Sequence, residues 1–379
     1  MKKTLLFFNL LVSLPIFSQK EVETFVSEIL NETREITISL PPSYSKDATK
    51  NYPLVLLLDG DYLMDPFLGV ISYGNYFDDF PEVIMVGISQ NYNHERDTDC
   101  MADEVTGMPV GKGTNFYDFI AIELMPYIAK KYRLAPFKII AGHDITASFI
   151  NYFLYKEKPI FDAYISISPE FPIMMEEQVA ERLELIEKPI FYYQSICDGD
   201  LKKMQEKIKL LDQNITTIKK PTLYYKFDEI KNQSHYSMVL NSIPNALYHI
   251  FSIYKPISPQ EFLEKIAPIN DKQTEYLINK YLMIEKLFSV KKEVQYTDFK
   301  AIEQAILKNG NLQEFEKLAA FAKKSYPKSM LADYYLGLMN EKIGLLDKSK
   351  KHYKDAYSKE PIGDITKEMV MDKIYVEKE

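Results

Sequence analysis

A chain of 379 residues, 46% of them hydrophobic, is long enough for two domains and can bury a large core. Its formal charge of -8 provides no general basic field, so a nucleic-acid partner is not expected. The two cysteines, Cys100 and Cys197, are too few for a disulfide framework or a cysteine-rich zinc site; they either pair or remain small unpaired hydrophobes. No two histidines stand four residues apart, as a metal-binding helix needs, and neither a metal nor another cofactor is expected.

Lys2 and Lys3 precede the apolar stretch Leu5 to Leu14, followed by Pro15-Ile16-Phe17-Ser18-Gln19. This is the pattern of a signal peptide over residues 1–18, against a retained anchor or a buried strand. The stretch is too short to span a bilayer comfortably, and no later run is long and apolar enough to do so. The mature chain is therefore expected to begin near Gln19, to be secreted or periplasmic, and to lack a transmembrane segment.

From about residue 24 to 255, short apolar runs alternate with helical patterns, as in a mostly parallel sheet with crossover helices. Thr33 to Leu40 alternates in polarity and predicts an antiparallel strand at the start. Leu54 to Leu58, Val83 to Ile88, Phe137 to Ala141, Tyr164 to Ile167, Pro189 to Tyr193 and Leu223 to Phe227 predict buried strands. Phe116 to Tyr132 and Thr146 to Tyr155 predict amphipathic helices.

After Lys255-Pro256 the strand pattern stops, which divides the mature chain into residues 19–255 and a smaller, all-helical region over 256–379. Leu336, Gly337, Tyr353, Ala356 and Pro361 fall at the offsets of a tetratricopeptide repeat, and Pro327 precedes Pro361 by one period. A weaker unit with Ala319, Ala320 and Ala322 lies upstream. So short an array predicts packing on itself or on the first domain rather than a long solenoid, and a plain helical bundle fits the same pattern.

Between residues 52 and 251 the motifs follow one another in a family's order. They run from Tyr52-Pro53-Leu54 through the Asp59-Gly60-Asp61 turn to Pro81-Glu82-Val83 with Arg96-Asp97. Phe116-Tyr117-Asp118, Ile139-Ile140-Ala141-Gly142-His143 and Ile167-Ser168-Pro169 follow. The chain resembles α/β-hydrolase-fold esterases of the esterase D and enterochelin-esterase type. That resemblance implies an α/β-hydrolase fold, hydrolysis of esters or thioesters including those of siderophores, and, in some members, a helical C-terminal extension.

In such enzymes the nucleophile sits on a sharp strand-to-helix turn, Gly-x-Ser-x-Gly. Here the turn reads Gly142-His143-Asp144-Ile145-Thr146, with aspartate for serine and threonine for the second glycine. Ser148 and Ser166 lie near in sequence, but neither follows a strand at the required turn. The resemblance implies Asp198 as the triad acid, with Asp200 as the alternative, and His235 as the histidine. It also implies oxyanion-hole N–H groups at Gly60 or Asp61 and at Ile145. His143 is expected to pack or to line the site.

A carboxylate attacking an ester is a weaker nucleophile than an alkoxide and leaves more easily than the alcohol, so the tetrahedral intermediate collapses backwards. The expectation is a catalytically impaired pseudo-esterase that binds a small-molecule ester, a siderophore-like ligand, or a protein partner through the helical domain. The alternative is a working hydrolase, either of the esterase kind or with Asp144 as nucleophile toward epoxide-like substrates. Halide displacement of the dehalogenase kind uses tryptophan N–H groups, and the chain has no tryptophan; its 28 tyrosines leave the epoxide route open.

Overall fold

The computed structural model describes residues 20–91 and 94–375; the signal peptide expected over residues 1–18 lies outside them. Eight strands run in chain order: β1 (Lys20–Ser27), β2 (Glu32–Ser39), β3 (Tyr52–Leu57), β4 (Ile84–Ile88), β5 (Leu134–His143), β6 (Ala163–Ile167), β7 (Ile190–Cys197) and β8 (Leu223–Ile230). They form one sheet in the order β1-β2-β4-β3-β5-β6-β7-β8. β1 pairs antiparallel with β2, and β2 with β4; every later neighbour is parallel.

The helices that flank the sheet are α1 (Gly60–Tyr76), α2 (Glu95–Asp99), α3 (Lys112–Asp118), α4 (Met125–Lys131), α5 (Ile145–Phe149), α6 (Met175–Leu185), α7 (Lys202–Thr216) and α8 (Val239–Ile250). Beyond them come α9 (Pro259–Glu261), α10 (Gln273–Phe288), α11 (Tyr296–Asn309), α12 (Glu314–Ser325), α13 (Leu331–Lys342), α14 (Leu346–Tyr357) and α15 (Lys367–Tyr375). No helix among the described residues is long and apolar enough to cross a membrane.

β3 shows why the central strands read as continuous apolar runs. Leu54 and Leu56 face one layer, built on Phe116, Phe119, Phe149 and Phe153, while Val55 and Leu57 face the other, built on Phe67, Ile243 and Leu247. Both faces are covered, so alternation disappears. β1 was not foreseen: it is an edge strand with Val22 and Val26 exposed, and its residues carry no strong burial pattern.

The second layer continues into the C-terminal helices. Phe288 of α10 is fully buried, and its ring centroid lies 5.1 Å from that of Phe137 on β5 and 5.3 Å from that of Phe251. Nearby, the almost buried Lys292 ammonium sits 2.8 Å from Asp78 Oδ2 and donates to the Tyr254 carbonyl at 2.6 Å. The helical region thus rests on the sheet and shares its core. Within it, a Cβ on Gly337 would fall 2.6 Å from the Tyr353 ring, so α13 and α14 cross closely where a glycine permits it.

Candidate active site

At the carboxyl end of β5 the chain turns through Asp144, with φ 61° and ψ -122°, and enters α5. A side chain at positive φ is strained, and such strain persists only where the surroundings impose it. Here they do. A Cβ at Gly142 would lie 2.6 Å from the Thr146 carbonyl carbon, so the first glycine of the turn is required. The Thr146 hydroxyl accepts from the His143 N–H at 2.9 Å, closing the turn from inside.

Asp144, His235 and Asp200, all singled out in the sequence, meet at this point. His235 lies in the segment between β8 and α8, and its Nε2 is 3.8 Å from Asp144 Oδ1. Its Nδ1 is 2.7 Å from Asp200 Oδ1 and 3.2 Å from the Ser168 hydroxyl. Gly60 and Ile145 head α1 and α5, where first-turn N–H groups have no intrahelical acceptor. Asp61 differs in that its carboxylate is engaged, accepting from the Gln90 N–H at 2.9 Å and the Asn91 amide at 3.0 Å.

Asp198 does not join them. Its Oδ2 accepts from the Asn232 N–H at 2.9 Å, bracing one loop against another, and the carboxylate on His235 belongs to Asp200. The physical reason is burial: the Asp200 side chain is wholly enclosed after β7 and also accepts from the Cys197 N–H at 2.8 Å, which fixes its aim. Sequence spacing could not separate two acids two residues apart.

Sequence reasoning missed Arg96 as a member of the site. Its Nε donates to Asp59 Oδ1 at 2.6 Å, its Nη2 to the His143 carbonyl at 2.8 Å, and its Nη1 to Asp144 Oδ2 at 3.3 Å. Asp59 is buried at the end of β3 with φ 54°, and also receives the Thr146 hydroxyl at 2.6 Å. The Tyr62 hydroxyl lies 2.9 Å from Asp59 Oδ2 and 3.0 Å from His143 Nδ1. The signal was the unexplained Arg96-Asp97 motif, whose partner only the fold could supply.

The charges follow. The Asp200 hydrogen bond is the first cause raising the His235 pKa above its ordinary value; burial opposes it and the Asp144 charge adds to it. Burial alone would raise the Asp200 carboxyl, but the bonds from His235 and the Cys197 N–H outweigh it and hold the carboxyl low. Burial pushes His143 down to about 4, with the neighbouring His235 charge adding to the effect. His143 is thus neutral and packs its ring against His235, centroids 4.5 Å apart. Burial would lower the Arg96 guanidinium, yet Asp59 holds it firmly protonated.

Neither cysteine is paired: Cys197 is buried and Cys100 half-buried. Away from the elbow, Asp333, His352 and Asp355 bring one ligand atom each within 4.8 Å of the others, and the Lys359 ammonium already lies 2.6 Å from Asp333 Oδ2.

The family model described as "Putative esterase" matches residues 27–171. No curated protein matches the sequence. Among solved structures, an uncharacterised protein from Capnocytophaga ochracea is 29% identical, covers 94% of this chain and 98% of its own, and superposes with a TM-score of 0.83. An IroE-like serine hydrolase from Shewanella oneidensis is 20% identical, with 78% of this chain and 98% of its own covered and a TM-score of 0.58. A protein from Bacillus cereus named BES is 20% identical over 65% of this chain and 97% of its own, with a TM-score of 0.53. With the mostly parallel eight-stranded sheet and its flanking helices, these matches show an α/β-hydrolase-like fold whose residues 27–171 are similar to the esterase family.

Proposed function

We propose that this protein is a pseudo-esterase: an esterase-family fold whose elbow binds a small-molecule ester or siderophore-like ligand without turning it over. One observation carries the reading. The residue at the elbow is a carboxylate held between a guanidinium at 3.3 Å and an imidazole at 3.8 Å.

For acyl transfer, His235 must take a proton from the nucleophile through Nε2. A carboxylate has no hydroxyl proton to hand over as serine does, and the cationic form of His235, which Asp200 and Asp144 favour, cannot accept one. Any acyl-aspartyl adduct would be an anhydride, easily reversed. The Ser168 hydroxyl does not replace the missing serine, because it lies on the Nδ1 side of His235 with Asp200. Arg96 also draws electron density from Asp144, which weakens attack at saturated carbon.

The accompanying readings are that the chain is exported after loss of residues 1–18, and that the helical region over 256–379 is a tetratricopeptide-like platform for a protein partner. The close α13–α14 crossing supports the latter.

The test is turnover of short-chain esters and epoxides by the purified mature chain beside Asp144→Ala, with thermal stabilisation by the same compounds as the binding readout. The expected result is stabilisation without turnover in both proteins. Robust turnover lost in Asp144→Ala, or a substrate carbon trapped on Asp144, overturns the proposal. Asp144→Ser is expected to gain slow ester hydrolysis, since His235 and Asp200 are already in place.

A further inference from the structure

The two positions at which this chain departs from Gly-x-Ser-x-Gly are joined in space. Thr146 stands in the place of the second glycine, and its single hydroxyl proton goes to Asp59 Oδ2 at 2.6 Å, a stronger acceptor than the His143 carbonyl 2.8 Å away. Asp59 in turn takes the Arg96 guanidinium through both oxygens, at 2.6 and 3.3 Å, and Arg96 reaches Asp144 with its remaining nitrogen. Asp144 and Thr146 are thus two ends of one chain of charge-assisted contacts running Thr146, Asp59, Arg96, Asp144. At its far end, Asp144 Oδ1 stops 3.8 Å short of His235 Nε2, outside hydrogen-bond reach.

We infer that Thr146 and Arg96 are positioning residues whose joint task is to hold the Asp144 carboxylate on the Arg96 side of the elbow, away from His235. The inference rests on reading Asp144 as a bound carboxylate and not as a nucleophile. In a serine enzyme, a second glycine leaves the inside of the turn empty and the nucleophile free to meet the histidine. Here the threonine fills that space with a donor and anchors Asp59, and Asp59 aims Arg96. The guanidinium cannot follow Asp144 toward His235, because Nη2 is tied to the His143 carbonyl at 2.8 Å.

His235 is the natural reporter, since the distance from Asp144 sets part of its proton affinity. The groups that face it are Asp144 from the elbow, Asp200 from the turn after β7, Arg96 from α2, neutral His143 from β5 and the Ser168 hydroxyl after β6. Cutting the positioning chain at Thr146 releases Asp144 and also removes the acceptor of the His143 N–H, so the Asp144→Asn background is needed to separate the two.

The experiment is an NMR titration of His235 in a two-by-two cycle of Thr146→Val and Asp144→Asn, with Thr146→Ser as the conservative control, all in the full mature chain without ligand. Thr146→Val is expected to raise the His235 midpoint by about 0.5 pH unit as Asp144 closes on Nε2. Thr146→Ser is expected to titrate like wild type, and Thr146→Val to have no upward effect once Asp144 is Asn. An absent rise, or an equal rise in both backgrounds, overturns the inference. Should Thr146→Val fail to fold, Arg96→Gln against Asp144→Asn answers the same question: the rise must be larger when Asp144 is present, and equal rises reject the assignment. Turnover dependent on Asp144 would sink the pseudo-esterase reading, yet leave this cycle standing, so the two failures are distinguishable.

Discussion

Asp200→Asn removes one charge beside His235 while preserving size and the carbonyl that accepts from Cys197. Asp200 Oδ1 lies 2.7 Å from His235 Nδ1; its side chain is 0% exposed and that of His235 is 19% exposed. A hydrogen bond involving a charged group contributes about 1.5–3 kcal/mol, which corresponds to about 1 to 2 pH units on the histidine. The His235 midpoint is therefore expected to fall by about that much in Asp200→Asn, and to stay near wild type in Asp198→Asn, whose carboxylate contacts Asn232 instead.

Stability should move with it. His235 has a raised folded pKa, so its contribution is full below the unfolded value of about 6.5 and fades as pH rises through the folded one. Asp200 has a lowered folded pKa, so its contribution is full above about 3.9 and is lost as pH falls through the folded value. The pair thus stabilises most between about pH 4 and 6.5, and urea unfolding of Asp200→Asn should lose most relative to wild type there and least well above the folded His235 value. A larger His235 shift in Asp198→Asn than in Asp200→Asn would refute this account of the pair.

Phe288→Ala should cost about 3–5 kcal/mol, because a fully buried ring that meets Phe137 and Phe251 leaves a cavity in the sheet's own core. Urea unfolding followed by tyrosine fluorescence and circular dichroism should give one shifted transition; a helical transition that moves alone would show that the two parts do not share a core. Burial, with Asp200 adding to it, pushes the Cys197 thiol up to about 11, so it should react slowly with a disulfide reagent in the native protein and fast in urea. An intact Cys100–Cys197 disulfide in the mass spectrum of the mature protein would contradict the unpaired arrangement. Protein recovered from its native cell should begin near Gln19, and Met1 on soluble cytoplasmic protein would reject the export reading.

Local pattern was enough for strands β2 to β7 and for the elbow; β8 was placed, but it is a half-buried edge strand and not the buried strand expected. Strands buried on both faces must be apolar throughout, helices covering them must be apolar on one side, and Gly142 must be glycine because Thr146 crosses so near; each constraint acts over a few residues and leaves its mark in the sequence. The aspartate at the turn was legible for the same reason. The edge strand β1 left a weak mark, since little of it is buried.

Tertiary structure alone decided the partners. Asp198 and Asp200 are chemically identical and two residues apart, and only the path of the chain after β7 aims one of them at a histidine 35 residues away. Arg96 acquires its role from Asp59, His143 and Asp144, which lie on two other strands' ends and meet it only when the parallel sheet brings its carboxyl edges together. Phe288 likewise belongs by pattern to the helical region and by packing to the sheet. Contacts between residues far apart in the chain depend on direction and distance in three dimensions, and neither composition nor periodicity records those.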